Sequence, residues 1–124
     1  MCGIAGLMTK DGSAPPVQTL DRLAQALAHR GPDGRGQHIS GNVGMVHTRL
    51  AIIDLETGDQ PILAGSAAAI IANGEIYNYP DLRREIGEAA FTTRSDCEPP
   101  VHLYLRDGAG FAGQLRGMYA IAIH

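Results

Sequence analysis

Leu20, Leu23, Ala24 and Leu27 recur at i, i+3, i+4 and i+7 and predict an amphipathic helix running to about residue 28. Pro15 and Pro16 stand where a helix tolerates proline, in its first turn. Residues 3–8 read as a buried strand that ends in the Lys10-Asp11-Gly12 turn. Residues 37–40 and 43–50 read as two strands joined at Gly41-Asn42, with Ala51-Ile52-Ile53 extending the second. Residues 67–72 form an apolar run and predict another buried strand. The polar stretch 73–78 after it reads as a turn. Short helices are predicted over 80–86 and 99–106, with a break at 107–110 and a final strand over 117–123. Gly and Pro density makes loops of 29–36 and 54–61. Strands and helices in this order favour a mixed, layered domain.

The composition narrows this picture. In 124 residues, 44% are hydrophobic, which suits one core, and the net charge is −3. No Lys/Arg cluster suggests a nucleic-acid or anionic-membrane surface. Residues 67–72, the longest apolar run, are too few to span a bilayer. The N-terminus lacks the basic and apolar regions of a signal peptide. Cys2 and Cys97 do not make a disulfide framework, and a reducing cytoplasm would keep Cys2 free. The apolar stretch 118–123 stands just before His124, where a strand would ordinarily turn and pair with a successor. The expectation is a partial domain.

Candidate chemistry begins at Cys2. Once Met1 is removed, Cys2 carries a thiol beside the α-amine, with ordinary pKa values of about 8.5 and 7.7–8.0. A neutral amine takes the thiol proton directly or through one water, so nucleophile and base share one residue. Position alone favours a small hydrophobe entering a strand. Asn73-Gly74 alone reads as a turn dipeptide, Arg49 as a surface side chain at a strand end, and Asp96 as a helix N-cap. The five histidines show no metal-ligand spacing, and Gly31, Gly34 and Gly36 form no nucleotide loop. Cys97 reads as a buried structural thiol.

Five segments stand in order: Met1-Cys2-Gly3-Ile4-Ala5-Gly6, His29-Arg30-Gly31-Pro32-Asp33-Gly34, His47-Thr48-Arg49-Leu50-Ala51-Ile52-Ile53-Asp54-Leu55, Asn73-Gly74-Glu75-Ile76-Tyr77-Asn78 and Ser95-Asp96-Cys97-Glu98. Together they resemble the N-terminal glutamine amidotransferase domain of asparagine synthetases, the class II, N-terminal-nucleophile type. The resemblance implies an α+β, four-layer αββα sandwich, here incomplete, that hydrolyses glutamine to glutamate and ammonia. It implies Cys2 as nucleophile, with the Asn73 side chain and Gly74 N–H as oxyanion donors. It implies a glutamine site at Arg49, Leu50, Glu75 and Asp96, with Arg49 gripping the α-carboxylate and Glu75 and Asp96 the α-ammonium. His29 to Asp33 becomes an architectural or lid loop, with no base role for His29. The implied partner is a synthetase domain or subunit, with ATP and Mg expected only there. This chain itself would use no cofactor and no metal, and would act in the cytoplasm.

Three features depart from that pattern. Pro99-Pro100 follows Glu98, so Glu98 is expected to be extended, the helix to start near Pro99 and Asp96 to shift. The strands that would follow residue 124 and the ATP-dependent domain do not appear in the sequence. Met1, if retained, locks the amine of Cys2 in a peptide bond. The alternative reading is a non-catalytic glutamine-binding or interaction module that forms a homodimer through an open sheet edge.

Overall fold

A computed structural model describes residues 1–124. Alternating side chains build two three-stranded antiparallel sheets. The first is ordered β1–β3–β2, from β1 (Gly3–Met8), β2 (Gly34–Ser40) and β3 (Val43–Arg49). The second is ordered β4–β5–β6, from β4 (Ile62–Ala64), β5 (Ala68–Ile76) and β6 (Gly117–Ile123). In each sheet the middle strand is the buried one. β1 is an edge strand and only partly buried, contrary to the expectation of a buried strand.

The period of two sorts each middle strand between two faces. On β3, Val46 packs against Leu20 and Ala24 of α1 (Val17–Leu27). Met45, its neighbour, meets Ala69 and Ile71 of β5, with Ile4, Val43 and Ala122 around them, so the sheets stack face to face. The other face of β5, Ala68, Ile70 and Ala72, packs against Cys97 and against Val101 of α3 (Pro99–Asp107). Ile76 joins Leu103 of α3 and Leu82 of α2 (Tyr79–Ile86). The layers therefore run α1, sheet, sheet, α2 and α3: an αββα sandwich. No helix is long and apolar enough to cross a membrane.

Several boundaries differ from the sequence reading. Gly34-Arg35-Gly36 is strand, paired with Arg49, Thr48 and His47. Ala51 to Ile53 is loop. The segment read as a turn at 73–76 continues β5, because β6 pairs along it as far as Ile76. Gly74 makes that approach possible: a Cβ there would stand 2.1 Å from the Met118 carbonyl oxygen. The helix at Pro99 starts where expected, but Glu98 is helical in conformation (φ −82°, ψ −41°), not extended. Both prolines sit in the first helical turn, where no backbone donor is needed.

Candidate active site

The start of β1, the end of β3 and the end of β5 come together above the inter-sheet core. They open onto a cavity of about 290 Å³, near the small end of the range for ligand pockets. Cys2, Arg49, Leu50, Gly74, Glu75 and Asp96 all line it. Asn73 does not; its Oδ1 is buried beneath the cavity without a hydrogen-bond partner in the chain.

Cys2 is held by its own neighbours. Leu50 N–H donates to Cys2 Sγ at 3.3 Å, and the thiol reaches the Leu50 carbonyl at 3.6 Å. Arg30 Nε donates to the Cys2 carbonyl at 3.0 Å, and Ala51 N–H to Asp33 Oδ2 at 2.9 Å. The 29–33 loop thus ties down the Cys2 end of β1 and the exit of β3. Met1 also lines the cavity.

Arg49 is more committed than its sequence position suggests. Nη1 donates to Asp59 Oδ1 at 2.8 Å, and Nη2 donates to the carbonyls of Ile53, at 3.3 Å, and Asp54. A bidentate carboxylate grip needs two donors on one edge of the guanidinium fork. Nη2 belongs to both usable edges and is engaged by the loop. A fork-to-fork grip therefore requires one of these bonds to open, while Nε and the remaining Nη1 hydrogen stay free. Gly58 shapes this arrangement, since a Cβ there would stand 2.7 Å from Nη2.

The acidic side of the cavity is built from residues near α3. Asp96 Oδ2 accepts from Ile76 N–H at 2.8 Å, which ties it to β5 rather than to a helix N-terminus. Its other oxygen takes no hydrogen bond from the chain. With Pro99-Pro100 following, Asp96 is buried and lines the cavity. Glu98 explains the stability of this segment. It is 0% exposed and accepts from Thr92 N and Oγ1 and Thr93 N and Oγ1, at 2.6–2.9 Å. Burial alone would raise its pKa; these bonds outweigh it and hold the carboxyl below the ordinary range.

Three further residues were given no role from sequence. Asp54 accepts from Thr57 N–H at 2.9 Å and from Arg94 N–H at 2.8 Å, tying the Arg49 loop to the Asp96 segment. Its burial opposes ionisation, but these bonds and Arg49 prevail and lower its pKa. Gln60 Oε1 accepts from Ala72 N–H at 2.6 Å and takes up a donor on β5 beyond the reach of short β4. Asn78 clasps the exit of β5 to the approach of β6 through Gln114 O and Arg116 N. Asp54 and Asn78 lay inside the recognised motifs; Gln60 carried no local signal. Cys97 is buried, as expected, yet also reaches the cavity, and burial pushes its thiol pKa far up.

Comparison with known proteins places these features. Residues 1–124 match the family described as a glutamine amidotransferase domain. The chain is 42% identical to asparagine synthetase [glutamine-hydrolyzing] 2 of Bacillus subtilis (strain 168), over 99% of this chain and 17% of that protein. It is 38% identical to the nodule asparagine synthetase [glutamine-hydrolyzing] of Pisum sativum, over 99% and 21%. The chain thus spans about a fifth of the length of the curated relatives it matches. Among solved structures it resembles glutamine phosphoribosylpyrophosphate amidotransferase from B. subtilis, complexed with ADP and GMP. That match has a TM-score of 0.54 and 24% identity over 69% of this chain and 22% of the other, a likeness of fold.

Proposed function

From the premise that this chain belongs to the glutamine amidotransferase domain family, we infer that it hydrolyses the side-chain amide of glutamine at Cys2. One observation carries the reading: six of the seven residues singled out from sequence line one cavity, with the thiol at its wall. In the proposed reaction, removal of Met1 frees the α-amine. The amine takes the thiol proton as Sγ attacks the amide carbon, and the carbonyl oxygen becomes an oxyanion facing Gly74 N–H and Asn73. The C–N bond then breaks, and the ammonium returns its proton to departing ammonia. Water adds to the thioester, glutamate leaves, and Sγ regains its proton.

The remaining lining residues suit glutamine's zwitterionic end. Arg49 supplies positive charge for the α-carboxylate, through its free donors or by releasing the loop. Asp96, with one unengaged oxygen, and exposed Glu75 suit the α-ammonium. Preorganised oxyanion donors are worth about 2.7–4 kcal/mol each in such chemistry. The ammonia acceptor we propose is a synthetase domain or partner subunit, in keeping with the greater length of the relatives. The proposed compartment is the cytoplasm, which keeps Cys2 reduced.

The test is glutamate release from glutamine by Met1-free wild type and Cys2→Ala. Loss of release in the variant is expected; equal rates sink the reading. The engaged Nη2 of Arg49 favours a second reading, a glutamine-binding module without turnover. Intact-mass measurement separates the two: retained Met1 and no adduct with a glutamine-like electrophile support the module.

A further inference from the structure

Among the buried side-chain nitrogens and oxygens of this chain, three lack a hydrogen-bond partner: His47 Nδ1, His47 Nε2 and Asn73 Oδ1. Leaving such a group unsatisfied costs about 1–3 kcal/mol, so folded chains rarely do it, and three together call for an explanation.

The topology places these atoms in one layer. Met45 of β3 meets Ala69 and Ile71 of β5 across the sandwich. Two residues further along each strand, on the same inward faces, stand His47 and Asn73. Two further still stand Arg49 and Glu75, at the cavity. His47 is 1% exposed and lies outside the cavity lining. The Asn73 amide is polarised between the two levels. Oδ1 is buried, whereas Nδ2 is not among the buried unpartnered atoms and donates to nothing in the chain.

We propose that His47 is a positioning residue for Asn73, its neutral ring donating one N–H to Asn73 Oδ1 through a single bridging water. The chemistry is selective. An asparagine amide presents a carbonyl at one end and two N–H donors at the other. A donor beneath it selects the carbonyl end and leaves Nδ2 pointing up, toward an oxyanion. An acceptor in the same place would turn the amide over and aim Oδ1 at the developing negative charge. His47 itself touches neither substrate nor nucleophile. The proposal rests on the reading of Asn73 as an oxyanion donor.

The experiment uses the Met1-free chain as wild type, His47→Leu, His47→Gln and Cys2→Ala. Side-chain amide NMR, with the Asn73 pair assigned by its loss in Asn73→Ala, reads the contact without requiring turnover. In wild type the Asn73 pair should hold one well-resolved set of shifts and His47 should show one protected ring N–H. In His47→Leu the Asn73 pair should shift, and His47→Gln, which keeps a donor, should restore it. Removing an oxyanion donor costs about 10²–10³-fold in kcat, so misaiming one should lower kcat by about tenfold or more at unchanged KM. An Asn73 pair unmoved by His47→Leu overturns the proposal. Should that variant not fold, an unprotected His47 ring in wild type overturns it equally. Full glutaminase activity in Cys2→Ala would instead defeat the proposed function, while the NMR result would still decide the His47–Asn73 contact.

Discussion

Met45 and His47 stand two residues apart on the same face of β3, and the interior changes character between them. The Met45 layer is apolar: Ala69, Ile71, Ile4, Val43 and Ala122 surround it, and no polar side chain has to be satisfied there. The layer above holds buried His47 and the half-buried Asn73 with its buried Oδ1, and above that lie Arg49, Glu75, Asp96 and Cys2 around a cavity. The same two strands, with the same alternation, supply both levels. The apolar level sets how the sheets stack. The polar level spends part of that stability to hold groups that face the cavity.

The sharpest way to break this division is to disturb the lower layer alone. Ile71→Ala removes a side chain that is 1% exposed, and a buried Ile→Ala change costs about 2–5 kcal/mol. Denaturant unfolding should show that loss, while glutamine turnover per folded molecule at low temperature stays near wild type. A matched fall in kcat would merge the two layers into one unit.

The next prediction separates them by pH. Burial pushes the His47 pKa down from 6.5 to about 4; the Ala72 backbone and Asp59 oppose this, and Arg49 adds to it. Between those values the unfolded chain binds a proton on this residue and the folded chain does not. Stability is therefore full above about pH 6.5 and falls as pH drops toward 4, by roughly 3 kcal/mol in total. Unfolding curves across that window should show a steep slope in wild type and a much shallower one in His47→Leu, where carboxyls such as Glu98 and Asp54 still contribute at the acid end. The apolar layer contributes nothing to it, so Ile71→Ala should keep the same slope at lower stability.

The two layers were unequally legible in the sequence. Alternation along residues 43–49 announced a strand, and the inner residues Met45, His47 and Arg49 follow from the period of two. β5 was cut short at Ala72 because Asn-Gly-Glu looks like a turn. Its continuation depends on β6, which arrives from about 45 residues away and needs Gly74 to come close. Gly34-Arg35-Gly36 was lost to a loop for the same reason: pairing with β3 overrides a local glycine signal. β4 has three residues, too few to show any period. The cavity residues were visible as types in motifs, but their working state was not. That Arg49 spends Nη2 on the carbonyls of Ile53 and Asp54, and that Glu98 anchors Thr92 and Thr93, are facts of loop geometry. No spacing along the chain encodes them.

Asp96→Asn sharpens the cavity side of the comparison. Asparagine keeps an oxygen for Ile76 N–H, so the fold should change little, whereas the charge offered to the cavity is lost. A hydrogen bond to a charged group is worth about 1.5–3 kcal/mol, which corresponds to roughly 10- to 150-fold in kcat/KM. The loss should fall mainly on KM for glutamine, since the proposed partner is the substrate's ammonium rather than the reacting carbon. Unchanged kcat/KM would remove Asp96 from the site and leave it a β5 anchor.

The smallest effect is expected at Asp59, and its smallness is informative. Its side chain is 82% exposed and that of Arg49 only 9%, so solvent screens the pair from one side. Such ion pairs contribute about 0–1 kcal/mol, and Asp59→Asn should leave the unfolding midpoint almost unmoved. Its consequence should appear in binding. Asp59 and a substrate carboxylate would draw on the same guanidinium, and Asp59 holds Nη1 in the absence of substrate. Weakening that hold frees Nη1, so KM for glutamine should fall slightly in Asp59→Asn at constant kcat. A rise in KM would mean the opposite: that Asp59 aims the fork for the substrate. Either sign places Asp59 in the polar layer's function with almost no share in its stability, the reverse of Ile71.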